Sequence, residues 1–346
     1  MKEMRICGIR KYMPELPEVQ TTVNGLNRLA KGLIVEDVWT DYDSKHYHGS
    51  DTIKDPEFFS SFRESIVGRK ILGAERRAKN ILINLEARNS GQKDGSNDSG
   101  KLPAQTILIH MKMTGHMMIG EYEFDPKKSR DPWTPAARAS DALRDPFNRF
   151  IHLVFTLSDG KENKPRKQLV LSDMRKFAKV TLLSTAAAHE SAHLEDIGPE
   201  PLDPSFTFDR FAERLRLKPV GKIKTTLMDK SIIAGIGNIY SDEALWRAGI
   251  NPEERVKDVS DKDLKNLYEA VRAVLSRGID FGGDSMSDYR NIHGERGKFQ
   301  EQHKAYRKTG QPCSKPKCTG TIRRKVVAGR SAHFCDVHQK LQSKRG

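Results

Sequence analysis

The stretch with the most chemical potential is Met13-Pro14-Glu15, near the start of the 346-residue chain. A proline that opens a chain is a secondary amine and a nucleophile, whereas a proline within a chain is a tertiary amide with no reactive nitrogen. Met-Pro is a junction that methionine removal readily processes, so a start at Met13 would free the amine of Pro14. An α-amino group has a pKa of about 7.7–8, which leaves an appreciable neutral fraction near pH 7. Attack on a sugar C1′ would give an iminium ion, an electron sink that permits base loss and then strand elimination. Glu15 stands next to it and could protonate the opening sugar ring. The working protein is therefore expected to begin at Pro14, with residues 1–13 a leader that is removed or never part of it.

A second constellation is Cys313-x4-Cys318-x16-Cys335-x2-His338. Two ligand pairs on tight turns, separated by a short hairpin, suit a tetrahedral metal. Four protein ligands close the coordination sphere, so one structural Zn2+ per monomer is expected, holding a basic hairpin that carries Gly329 and Arg330. A third is "AGIGN", residues 234–238, where a tight glycine turn opens a helix and exposes amides that suit a phosphate. With Lys222 and Lys224 just upstream, a nucleic-acid backbone contact through Asn238 is the expected role.

The elements that would position these residues differ along the chain. Leu16, Val19, Val23, Leu26 and Leu29 recur at helical spacing, and Gly32 supplies a stop. Alternating segments such as "KNILINLE", "TILIHMKMTG" and "FIHLVFTLSDG" then predict a β-sandwich or barrel over about 33–184. Polar stretches at 89–101 and 125–147 read as surface loops. After about 200 the period becomes helical, with Phe208, Phe211 and Leu215 on one face and a helix from Asp261 to Arg277 capped by Ser260. The predicted class is α+β: an N-terminal β-sandwich with flanking helices (14–184), a helical domain (200–290) and a zinc-finger hairpin (300–342).

No apolar run approaches a membrane span, and the opening residues are too charged for a secretory signal, so an intracellular protein is expected. Of a net charge of +14, residues 290–346 hold fifteen Lys/Arg against three Asp/Glu. A basic block of this kind points to a polyanionic partner.

Together, "MPELPEV", "RRAKNIL", "HMKMTGHM", "SDMRKFA", "IGPEPL", "LMDKSIIAGIGNIYSDEALWRAGI", "GGDSMSDYRN" and "GRSAHFC" fall in the order and spacing of the formamidopyrimidine-DNA glycosylase family. The chain resembles that family from Met13 to about Gln339. The resemblance implies a β-sandwich, a helix–two-turns–helix domain and a zinc finger. It implies a bifunctional glycosylase and abasic-site lyase, a bacterial cytoplasmic enzyme acting as a monomer on double-stranded DNA that holds oxidised purines or abasic sites. Pro14 would be the Schiff-base nucleophile and Glu15 the acid, with Lys79 the proton donor in β-elimination and Arg330 the donor in δ-elimination. Met113, Arg175 and Phe177 would fill the gap left by an everted nucleotide. Lys176, Lys222, Lys224 and Asn238 would contact DNA, and Asn148 stands where the family usually has a DNA-contacting histidine. Residues 284–299 correspond to a mobile loop over the lesion. The alternatives are a sister glycosylase of the endonuclease VIII type for oxidised pyrimidines and, were the extension retained, a DNA-binding zinc protein without catalysis.

Overall fold

The computed structural model describes residues 13–89, 101–161, 166–286 and 288–341. The expected leader lies, Met13 apart, outside the described residues, as does most of the 89–101 stretch.

From the N-terminus the elements are α1 (Leu16–Leu29), β1 (Ile34–Thr40), α2 (Pro56–Ile66), β2 (Ile71–Arg77), β3 (Asn80–Leu85), β4 (Arg88–Asn89), β5 (Lys101–Leu102), β6 (Gln105–His110) and β7 (Gly115–Gly120). A small hairpin, β8 (Tyr122–Phe124) and β9 (Trp133–Pro135), precedes β10 (Ile151–Ser158), β11 (Lys167–Asp173) and β12 (Lys179–Ser184). Helices α3 (Phe208–Arg216), α4 (Ile223–Leu227), α5 (Asn238–Ala248) and α6 (Asp261–Asp280) follow, and the hairpin β13 (Ile322–Val327) and β14 (Arg330–Cys335) comes last.

Two antiparallel four-stranded sheets, in orders β1-β10-β11-β7 and β12-β6-β3-β2, form the predicted sandwich. Alternation sends Val38, Ile81, Ile83, Ile107, Leu153, Phe155 and Leu171 into one shared core, which α1 completes with Val19, Val23 and Leu26. Strand β3 is apolar on both faces because its other side, at Leu82, packs with Leu108 and Leu194. The 125–147 stretch is not simply surface loop. Its β8–β9 hairpin and a 3-10 turn at Asp141–Arg144 add Tyr122 and Leu143 to a small cluster with Met118, Ile151, Val154 and Val170 on the outer face of the first sheet.

The helical domain has its own core, built on Phe211, Leu215, Ile223, Leu245, Leu264, Leu267, Val271 and Leu275. Ser260 caps α6 by accepting from the Asp263 N–H, and Gly249 closes α5 in the left-handed conformation. Leu16, at the start of α1, is buried in this second core and not in the sandwich. The N-terminal segment therefore bridges the two.

Candidate active site

The bridge is built around the start of α5. The Leu16 N–H donates to the Gly235 carbonyl at 3.1 Å, and Gly235, at φ +81°, adopts a conformation that side chains resist. The Glu15 carboxylate accepts from the N–H groups of Ile239 at 2.9 Å and Tyr240 at 3.4 Å. A Cβ on Gly237 would lie 2.3–2.6 Å from that carboxylate, so only glycine admits it. The anion-binding helix start expected of the "AGIGN" turn exists, and the chain's own Glu15 occupies it.

Glu18 sits directly behind. Its carboxylate accepts from the Tyr240 hydroxyl (2.6 Å), the Asp284 N–H (2.7 Å) and the Glu15 N–H (2.7 Å). Burial, reinforced by the neighbouring Glu15, pushes Glu18 up to about 7. Burial also raises Glu15, opposed by Lys79 and by the α5 amides. Two buried carboxyls with raised pKa values, one of them near neutrality, form a pair that can hold and pass a proton at physiological pH.

Lys79 reaches the same place from the β2–β3 turn. That turn is pinned to "IGPEPL": Ala78 N–H donates to Glu200 at 2.6 Å, Arg76 pairs with Glu200, and Arg77 donates to the Gly198 carbonyl at 2.8 Å. Burial lowers the Lys79 ammonium, Glu15 and Glu18 oppose the change, and Arg330 adds to it. Glu15, Glu18, Lys79 and Arg330 thus share one electrostatic neighbourhood. Beside it opens a cleft of about 440 Å³ lined by Met13, Lys79, His110, Lys112, Lys230 and Ile236 among others. Pro14, between Met13 of that lining and Glu15, is buried.

The expected gap-filling residues are brought together. Arg175 Nη1 lies 3.5 Å from Met113 Sδ, and its guanidinium sits 4.3 Å from the centroid of the Phe177 ring. Phe177 is 45% exposed, so an apolar ring projects into solvent where a core residue would be covered. The loops carrying these side chains are tied together, since Thr114 Oγ1 bonds Asp173 and accepts from the Arg175 N–H at 3.2 Å. Lys176, exposed on the same loop, pairs with Asp41 at 2.9 Å.

The donor atoms of Cys313, Cys318, Cys335 and His338 lie within 4.8 Å of one another. Cys313 Sγ and His338 Nδ1 are 3.4 Å apart, and Cys318 Sγ is 3.5 Å from Cys335 Sγ. A tetrahedron with the usual zinc bond lengths has edges of about 3.5–3.8 Å, so the set fits. His338 Nε2 contacts the Trp246 carbonyl at 3.1 Å, which fixes the tautomer that leaves Nδ1 free to ligate. The indole N–H of Trp246 also points at Cys313 Sγ, 3.4 Å away. At the far end, Ala328 (φ +44°) and Gly329 (φ +79°) form the two-residue turn that presents Arg330.

Two expected DNA contacts are corrected. Lys224 is fully buried: its ammonium pairs with Asp242 and donates to Ser241 Oγ at 3.1 Å. Asp242 in turn accepts from the His333 N–H at 2.9 Å, so Lys224 secures the β13–β14 hairpin to α5 and has no path to a phosphate. Asn148 is 1% exposed, with its amide bonded to His116, Ala142 and Gly294. Asn238 is half-buried at the start of α5 and donates to Ser331 Oγ at 3.2 Å. Lys222, also half-buried, is the N-cap residue of α4. Segment 284–299 is anchored through Tyr289 OH to the Glu18 carbonyl, Arg290 to Asp145 and the Ile292 carbonyl to the Ile119 N–H.

Two family models match the chain: the formamidopyrimidine-DNA glycosylase N-terminal domain over residues 13–180 and the formamidopyrimidine-DNA glycosylase H2TH domain over 197–290. A formamidopyrimidine-DNA glycosylase of Chloroflexus aggregans is 36% identical over 332 residues, covering 95% of this chain and 99% of the relative. The Bacillus subtilis enzyme of that description is 32% identical, covering 96% and 100%. Among solved structures, Lactococcus lactis Fpg in complex with DNA containing an abasic site superimposes with a TM-score of 0.71 at 27% identity, covering 94% of this chain and 99% of that one. Its complex with DNA containing Fapy-dG gives 0.70 at 27%, covering 94% and 100%.

Proposed function

The chain belongs to the formamidopyrimidine-DNA glycosylase family, DNA glycosylases of base excision repair that also carry abasic-site lyase activity, and on that premise we propose that it excises oxidised purines through an N-terminal proline. The Pro14 secondary amine attacks C1′ of the damaged nucleotide, and Glu15 protonates the ring oxygen as the C1′–O bond opens. The base departs with a proton and leaves an iminium on C1′. Loss of a C2′ proton to a base then breaks the C3′–O bond, with Lys79 giving a proton to the departing side. Arg330 serves the second, δ-elimination. Glu15 held on the α5 amides beside Lys79 is the observation that carries this reading.

The everted nucleotide leaves a gap, and the clustered Met113, Arg175 and Phe177 are suited to fill it, offsetting lost stacking and pairing. Lys176, Lys222 and Asn238 are assigned to phosphates. Cys313, Cys318, Cys335 and His338 hold one Zn2+, which fixes the hairpin and takes no part in the reaction. Among the described residues no helix is long and apolar enough to cross a membrane. The bacterial relatives support a place in the bacterial cytoplasm, and we assign the enzyme as a monomer.

An amide nitrogen cannot form the iminium, so this function requires the chain to begin at Pro14. Borohydride trapping on an 8-oxoguanine duplex, with intact mass in the same sample, tests it. A chain begun at Pro14 should give a covalent adduct, and one carrying residues 1–13 should give none. An adduct on the extended chain would exclude Pro14 as nucleophile. Trapping only on an oxidised-pyrimidine duplex would assign the sister specificity, and no adduct with either chain would leave a DNA-binding zinc protein.

A further inference from the structure

The β8–β9 insertion builds a groove that the repair chemistry does not use. Phe124 and Trp39 pack at 5.9 Å between ring centroids, Phe124 and Trp133 at 5.1 Å, and Trp39 and Trp133 at 6.0 Å. Burying such a cluster would be the ordinary use of three aromatic rings, yet Phe124 remains 44% exposed. In front of it opens a cavity of about 610 Å³, whose wall also includes Phe150. That volume is within the roughly 300–1,000 Å³ that houses a ligand of nucleotide size or larger.

The rim of the groove is basic. Lys128 and Arg130 stand on the insertion, and Arg149 stacks over the Phe150 ring at 4.8 Å; all three are exposed. Of the two acids on the wall, Asp41 is already engaged by Lys176 and His152, leaving Asp131. The groove is continuous with the site above. Lys176 belongs both to its wall and to the loop that carries Arg175 and Phe177, and the Phe150 carbonyl accepts from the Asp173 N–H at 2.8 Å at the base of that loop.

Aromatic faces bordered by cations are the chemistry of single-stranded nucleic acid recognition: bases stack and phosphates pair, without regard to sequence. We propose that this groove binds single-stranded DNA, with an unpaired base against Phe124 and Trp39 and its flanking phosphates on Lys128, Arg130 and Arg149. The inference rests on the repair reading for its location beside the gap-filling loop. The insertion then holds an unpaired nucleotide next to the site where the duplex is opened, so that lesions beside gaps or unpaired stretches are engaged more tightly.

Two of the three tryptophans border or underlie the groove, and the third, Trp246, lies beside the metal ligands. A lesion-free oligothymidylate about eight nucleotides long should therefore quench tryptophan emission saturably, and less so as salt rises. The double variant Phe124→Ala, Arg130→Ala should weaken that binding at least about fivefold. Its melting temperature and its trapping on a fully paired lesion duplex should match the parent's. Equal oligothymidylate affinity in parent and variant, or no quenching in the parent, overturns the proposal. The two readings can fail separately: a parent that traps but shows no groove-dependent binding loses only this inference. A parent that shows groove-dependent binding but never traps loses only the proline mechanism.

Discussion

The carboxylate of Glu15 occupies the volume that a side chain at Gly237 would need, with 2.3 Å between its carbon and the position of the missing Cβ. One residue belongs to the segment that opens the sandwich and the other to the turn that opens α5. The absence of a side chain on the second sets the position of the first.

Gly237→Ala should consequently act as an active-site mutation although it adds a single methyl group. The methyl must displace either the carboxylate or the start of α5, and a misplacement of about 1 Å can cost on the order of 100-fold in rate. Single-turnover base excision on an 8-oxoguanine duplex should fall by about that factor, with Glu15→Gln lower still. Near-parental turnover in Gly237→Ala would show that Glu15 works from some other position.

Glu18 should write a pH dependence into stability. Its folded pKa is about 7 against an ordinary 4.5, because burial and Glu15 disfavour the charge. Between those values the folded protein keeps a proton that the unfolded chain has lost. The contribution is fully present below about pH 4.5 and is lost as pH rises to about 7, at up to roughly 1.4 kcal/mol per pH unit. Glu18→Gln removes the titration. Melting temperatures across pH 5–8 should then show the variant gaining on the parent as pH rises, whereas a constant offset would mean that Glu18 titrates normally.

Metal should be measurable and dependent on one imidazole. Atomic emission should find about one zinc per chain, His338→Ala should lose it, and His338→Cys should keep it, since a thiolate replaces the nitrogen donor. Loss of metal should loosen the hairpin that carries Arg330 and weaken DNA binding at least about tenfold. Zinc retained in His338→Ala would reject the four-ligand assignment.

Lys224 and Lys176 should separate cleanly. Removing Lys224 leaves Asp242 buried without its ammonium, which costs roughly 3–5 kcal/mol. The slope of log affinity against log salt should stay unchanged in Lys224→Met. Lys176→Ala should shift stability by less than about 0.5 kcal/mol and reduce that slope by about 1. Exchanged outcomes would restore Lys224 as the phosphate contact.

These cases show where sequence reading reaches. The sandwich was legible because alternation is local, and the metal set because its ligands come in short-range pairs around one hairpin. Lys224 misled because a lysine near a glycine turn looks the same whether it faces solvent or a buried carboxylate. Asn148 misled because what buries it arrives from Gly294, 146 residues further on. In the sequence Glu18 is an acid in the first turn of a helix, where its charge suits the helix dipole and signals nothing more. Its other partners, Tyr240 and Asp284, lie 222 and 266 residues along, and no spacing rule connects them.

The clasp between the first turn of the chain and α5 also orders events in time. Glu15 leaves the ribosome early, but the amide that orients it follows 224 residues later. At about 5–20 residues per second, the gap is roughly 10–45 s. Throughout that interval the sandwich can fold while its acid lacks the α5 amides. A nascent or truncated chain can therefore be well folded over its first half and still have no assembled centre with which to attack the cell's own DNA.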